Sequence, residues 1–159
     1  MPFSPLDLSP VVWLEADQIT GLSDGDGVGT WTDLSGNGRN ATQATGSKKP
    51  TFQTNELYGK PVLRFDGVDD QLQTASITWP AEFTVFVLAK TRSGASYAFD
   101  IIAADNAARI FDFQLNSATS WKWVNYNTVG GNCEDGETSS ENVWHVVSGV
   151  RRSGNAQLY

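Results

Sequence analysis

Cysteine, histidine and positive charge are all scarce in this chain of 159 residues, and each shortage removes a class of function. The single cysteine, Cys133, rules out an internal disulfide, and with the single histidine, His145, it leaves no zinc-type ligand pattern. Eleven basic residues stand against eighteen acidic ones, a net charge of -7, so the long-range field repels phosphate backbones and anionic bilayers. Nucleic acid is therefore not an expected partner. The paired cations Lys48-Lys49 and Arg151-Arg152 read as solvated strand ends rather than a binding patch. No apolar run reaches the roughly 20 residues of a membrane span, so no membrane insertion is expected. The start, Met1-Pro2-Phe3-Ser4-Pro5-Leu6-Asp7, lacks the basic and apolar regions of a secretory signal. A chain like this is expected to be made in a cytoplasm and to need another exit route for any role outside. No segment shows a convincing 3.6-residue apolar period either, which removes helical architectures.

Aromatic residues are plentiful. They form 11% of the chain, with six tryptophans, against only 18% charged residues, so the sequence packs a core and keeps aromatic surface for contacts. The length suits one domain, residues 1–159. Alternating patterns predict strands over 27–32, 60–66, 71–77, 83–90, 97–104, 109–115, 120–128 and 143–151, with a short strand over 11–16 after Pro10. The run Phe83-Thr84-Val85-Phe86-Val87-Leu88-Ala89 is apolar on both faces and suits a central strand between two layers. Ala104-Asp105-Asn106-Ala107 and Arg152-Ser153-Gly154-Asn155 are hairpin turns, and turns so short imply antiparallel pairing.

Two corners carry the strongest local signals. In Trp31-Thr32-Asp33-Leu34-Ser35-Gly36-Asn37-Gly38-Arg39-Asn40-Ala41-Thr42-Gln43 an aromatic strand end meets an Asp/Ser/Gly/Asn turn. In Pro61-Val62-Leu63-Arg64-Phe65-Asp66-Gly67-Val68-Asp69-Asp70-Gln71-Leu72 an alternating strand meets a carboxylate-rich turn. Asp66, Asp69 and Asp70 offer hard oxygen ligands close together, which suits calcium. The alternative is that Asp66 and Asp69 hydrogen-bond turn amides while Asp70 caps the corner. Asp24-Gly25-Asp26-Gly27 opens like a calcium loop, but Ser35 stands where the loop's final glutamate belongs, so it reads as a surface turn.

Catalytic patterns are not found. Glycan hydrolysis on a sheet needs two carboxylates facing across a groove. Glu15-Ala16-Asp17 matches only the first two carboxylates of the Glu-x-Asp-x-x-Glu pattern that retaining glycan hydrolases on such sheets carry along one strand, since Gln18-Ile19-Thr20 supplies no third, and Glu134, Asp135, Glu137 and Glu141 fall in what reads as an exposed loop. His145 has no adjacent nucleophile, since Ser148 lies at odd strand parity. The glycines at 25, 27 and 29 precede a strand, not the helix of a phosphate loop.

The best binding signal is Ser120-Trp121-Lys122-Trp123-Val124-Asn125-Tyr126-Asn127, whose period of two puts Trp121, Trp123, Asn125 and Asn127 on one face. Indole faces beside amides suit sugar rings; the competing reading places the tryptophans in the core.

Taken in order, Trp13-Leu14-Glu15-Ala16-Asp17, the Trp31-x-Asp33-x-Ser35-Gly36-Asn37 turn, Phe65-Asp66-Gly67-x-Asp69-Asp70 and Trp144-His145-Val146-Val147-Ser148-Gly149 resemble a concanavalin A-like, laminin G-like domain. The resemblance covers almost the whole chain. It implies an all-β fold, an antiparallel jelly-roll β-sandwich of two curved sheets, with closing strands usual after the segment like Asn155-Ala156-Gln157-Leu158-Tyr159. Stopping there implies either a piece of a longer protein or a neighbouring subunit that covers the gap. By resemblance, the expected role is a non-enzymatic structural, decoration or adhesion protein of a virion, most plausibly a phage's. The alternative is a carbohydrate-binding receptor module of a tail fibre or bacterial surface protein. Expected partners are other virion or surface subunits, glycans and further copies of the chain; no cofactor beyond calcium is implied.

Overall fold

The computed structural model describes residues 4–91, 99–105, 108–117, 120–125, 133–138, 140–152 and 155–158. Strands dominate these residues, every paired strand runs antiparallel, and helix occurs only as single 3-10 turns, so the chain is all-β. The chain divides into two compact units, Met1–Ala75 and Ser76–Tyr159.

The first unit is built from short pairings held by loops. A 3-10 turn at Pro5–Leu8 is closed by a capping box in which Ser4 and Asp7 satisfy each other's ends. Strands β1 (Thr30–Trp31) and β2 (Ala41–Thr42) pair across the first corner. Strands β3 (Thr51–Leu57) and β4 (Lys60–Arg64) form a hairpin with a bulge between Gln53 and Leu57. Its tip, Tyr58-Gly59, has φ of 48° and 85°, the doubly left-handed geometry whose twist matches the flanking strands. Val28, Ala41, Pro50 and Phe52 are buried at the centre. The Val28 and Phe52 amides donate to the Pro50 and Asp26 carbonyls, so the core forms where backbone ladders are already closed.

Two expected strands shrink to single bridges here. Residues 11–16 give only the bridge Leu14 to Asp33, then the 3-10 turn Ala16–Gln18, because a side-chain carboxylate takes the Trp13 amide out of any ladder. Residues 71–77 give only the bridge Thr42 to Gln73.

The second unit holds two sheets. One has the order β11 (Asn155–Leu158), β10 (Trp144–Arg152), β5 (Phe83–Lys90). The other is a meander of β6 (Phe99–Asp105), β7 (Ala108–Ser117), β8 (Ser120–Asn125) and β9 (Cys133–Thr138). Strand β9 corrects the expectation of a loop over its acidic residues: pairing with β8 supplies ladder bonds that outweigh low strand propensity. The pairs Asp105 with Ala108 and Arg152 with Asn155 bear out both predicted hairpins.

Candidate functional site

Among the described residues, Asp33 is the polar group with the most hydrogen-bond partners, a carboxylate residue only 7% exposed. Its Oδ1 accepts the Trp13 and Ser35 amides at 3.0 Å each. Its Oδ2 accepts the Ser35 hydroxyl at 2.7 Å and the Arg39 amide at 2.9 Å. The turn can wrap around the carboxylate because Gly36 and Gly38 take φ of 86° and 69°. Asn37 Nδ2 donates to the Pro10 and Val11 carbonyls at 3.1 and 3.0 Å, and Arg39 Nη1 donates to Val11 at 2.8 Å. The motif thus staples residues 10–14 to the corner. Burial pushes the Asp33 carboxyl up, but the amides of Trp13, Ser35 and Arg39 and the Ser35 hydroxyl outweigh it and hold the acid below its ordinary value.

The second corner uses the same device on a smaller scale. Asp66 Oδ1 accepts the amides of Val68 at 2.8 Å, Asp69 at 3.2 Å and Asp70 at 3.3 Å, and Asp70 Oδ2 accepts the Asp66 amide at 2.9 Å. In the first corner Asn40 Oδ1 accepts the Asp33 amide at 2.9 Å in the same way. The Val68 amide, first among these donors, holds Asp66 below the ordinary carboxylate value. Burial raises Asp70, and the charges of Asp66 and Asp69 add to that. Asp69 does not accept a turn amide; its carboxylate stands 4.0 Å from Lys48, an exposed contact that contributes little.

Asp66, Asp69 and Asp70 do come together, with one oxygen from each within 4.8 Å of the others. Calcium takes six to eight oxygens. Amides already occupy one oxygen of Asp66 and one of Asp70, so the corner offers a partial ligand set. Asp24 and Asp26 are likewise engaged by the chain: Asp24 Oδ1 accepts the Thr54 amide at 2.7 Å, and Asp26 Oδ2 accepts the Ser23 amide at 2.7 Å.

The Lys60 ammonium binds the Asp17 carboxylate, and Glu15 lies near enough to feel both charges. Burial and then Asp17 raise Glu15, whereas Lys60 lowers Asp17. His145 Nε2 accepts the Ser140 amide at 3.2 Å, a strand-to-loop tie.

Strand β8 carries Trp121, Trp123 and Asn125 in register with Leu115, Phe113 and Phe111 of β7; Asn127 lies outside the described residues. Across β6, β7 and β8 one set of rows reads Phe99, Leu115, Trp121 and Ile101, Phe113, Trp123, and the intervening row reads Asp100, Gln114, Lys122. The tryptophans therefore share the apolar row positions.

The chain matches no family model, no curated protein and no solved structure.

Two features escaped the sequence. Pairing β10 with β5 sets Val146 opposite Leu88 and Ser148 opposite Phe86. On that face Phe86 is 68%, Leu88 48% and Val146 74% exposed. The other face of the same strands includes buried Val147. The alternation in 83–89 does signal two apolar faces; it does not say which of them stays open. The salt link of Lys60 to Asp17 spans 43 residues and left no local pattern.

Proposed function

We propose that this chain is a non-catalytic structural or adhesion subunit of a larger assembly, built on a lectin-like jelly roll of the kind that serves in phage virions. The observation that carries the reading is the open sheet face of Phe86, Leu88 and Val146. Solvent exposure of these side chains forfeits on the order of 3–6 kcal/mol of burial, a strong drive for a contact surface. The positions on that face, Thr84, Phe86, Leu88 and Lys90 beside Trp144, Val146, Ser148 and Val150, include no carboxylate. In a chain of net charge -7, a second copy meets no carboxylate at these positions. The non-catalytic part of the reading is supported by carboxylates, among the described residues, that bind turn amides or an ammonium.

The test is sedimentation velocity over a wide concentration range for the wild type and for Phe86→Lys and Val146→Lys. The expected result is a reversible oligomer that both substitutions dissolve while far-UV circular dichroism is unchanged. A strictly monomeric wild type that behaves like its variants would refute self-assembly through this face.

A further inference from the structure

The turn that wraps Asp33 also contains Asn37-Gly38, the one Asn-Gly step in the sequence. An asparagine is most reactive in this setting, because a following glycine leaves the backbone nitrogen unhindered and lets the chain bend toward the side chain. Gly38 fits that description: its φ is 69°, and nothing beyond its chain neighbours lies within 4 Å of where a side chain would begin. Asn37 is exposed, so water reaches it. The chemistry needs only water. The Gly38 nitrogen attacks Asn37 Cγ, an N–C bond forms as the Cγ–Nδ2 bond breaks, and Nδ2 leaves as ammonia with the proton that Gly38 gives up. Water then opens the five-membered imide at either carbonyl and leaves aspartate or isoaspartate at position 37.

The folded corner holds this reaction off. Asn37 Nδ2 donates to the Pro10 and Val11 carbonyls and, at 3.0 Å, to the Ser35 hydroxyl, and these contacts must break before Cγ can turn toward Gly38. On the other side the Arg39 amide is bound to Asp33 Oδ2 at 2.9 Å, so Gly38 lies between two pinned residues. The product fits the corner no better. A carboxylate at position 37 sets acceptor oxygens against the Pro10 and Val11 carbonyls with no donor between them, and isoaspartate adds a backbone carbon to the turn. We propose that Asn37-Gly38 is a modification site gated by this corner: it deamidates when residues 10–11 detach from the turn, and once converted it cannot re-form that leg of the staple. Local opening thus leaves a permanent mark, and each converted chain opens more easily than before.

The proposal is independent of the assembly reading. Its test incubates the full chain at mildly alkaline pH, with and without a denaturing concentration of urea, and follows residue 37 by peptide mapping and mass spectrometry. The exposed Asn55, followed by Glu56, serves as the internal control. The expected result is conversion of Asn37 to aspartate and isoaspartate in urea, and conversion at least about tenfold slower in the folded chain, where the reactive form is a minor open state. Arg39→Ala removes the 2.8 Å tie from Nη1 to the Val11 carbonyl and leaves Asn37-Gly38 intact. With its fold checked by circular dichroism, it is expected to convert faster than wild type in native buffer and equally fast in urea. Wild type in urea below its unfolding transition gives the same reading without a substitution, since conversion must rise before the circular dichroism changes. Equal rates in folded and unfolded wild type, no conversion in urea, a folded Arg39→Ala that converts no faster than wild type, or conversion that rises only with global unfolding would overturn the proposal.

Discussion

Replacing Asp33 tests the physical reading of the first corner most directly. Asp33→Asn keeps an oxygen for the Trp13 and Ser35 amides but sets an NH2 group against the Arg39 amide, which approaches Oδ2 at 2.9 Å. The Ser35 hydroxyl can reverse and accept. The Arg39 N–H cannot, so one donor is left unpaired in a part-buried site at a cost of about 1–3 kcal/mol. The remaining bonds lose their charge assistance, roughly half their strength. Together these give a loss of about 2–4 kcal/mol for Asp33→Asn. Asp33→Ala orphans three amides and is expected near the upper end of single-site effects, about 4–5 kcal/mol.

Urea unfolding followed by circular dichroism measures the loss, and its pH dependence supplies an independent check. The folded Asp33 carboxyl titrates below its ordinary value of 3.8, so its contribution is complete above that value and fades as pH falls through the lower folded one. The wild-type advantage over Asp33→Asn should therefore hold at neutral pH and shrink only in strong acid. A variant within about 0.5 kcal/mol of the wild type at pH 7 would refute the staple, since surface substitutions lie in that range. A gap that widened on acidification would refute the assigned sign.

Two further outcomes follow from the geometry. Thr91 is only 3% exposed and its hydroxyl has no partner among the described residues, so Thr91→Val, which puts a methyl in the hydroxyl's place, should stabilise by about 1 kcal/mol in urea unfolding. At the second corner, calcium is expected to leave the melting temperature unchanged, because turn amides already hold Asp66 and Asp70; saturable binding in isothermal titration calorimetry, lost in Asp69→Asn, would assign the corner to the metal.

The second unit was largely legible in the sequence because its strands carry their signal locally. Phe83–Lys90 and Trp144–Arg152 alternate or run apolar over eight and nine residues, and both hairpin turns are short. The first unit was less legible. Thr51–Leu57 reads as polar and irregular, and it becomes a strand through its pairing with β4 across the Tyr58-Gly59 turn. Residues 11–16 look like a strand by composition, yet the Asp33 carboxylate takes the Trp13 amide from 20 residues away. Composition reports what a segment prefers, and neither of these outcomes is decided by the segment itself. The candidate site divides the same way. The Asp66 corner was visible because its partners lie within four residues, whereas the Asp33 corner needs residues 10–13 to meet it from more than 20 residues away.

The two aspartate corners also bear on where function is to be sought. In each, the carboxylate accepts amides from the turn that follows it, and a later side-chain oxygen accepts the aspartate's own amide. A charged acceptor that satisfies two or three buried or turn amides has a depressed acidity and little freedom to take up a proton or swing toward a substrate, so the groups most conspicuous in the sequence are the least available for chemistry. Among the described residues, the apolar row of Phe86, Leu88 and Val146 is left open on one sheet face. A Phe86→Lys variant that turns monomeric with unchanged circular dichroism would show that assembly runs through this row and not through either aspartate corner.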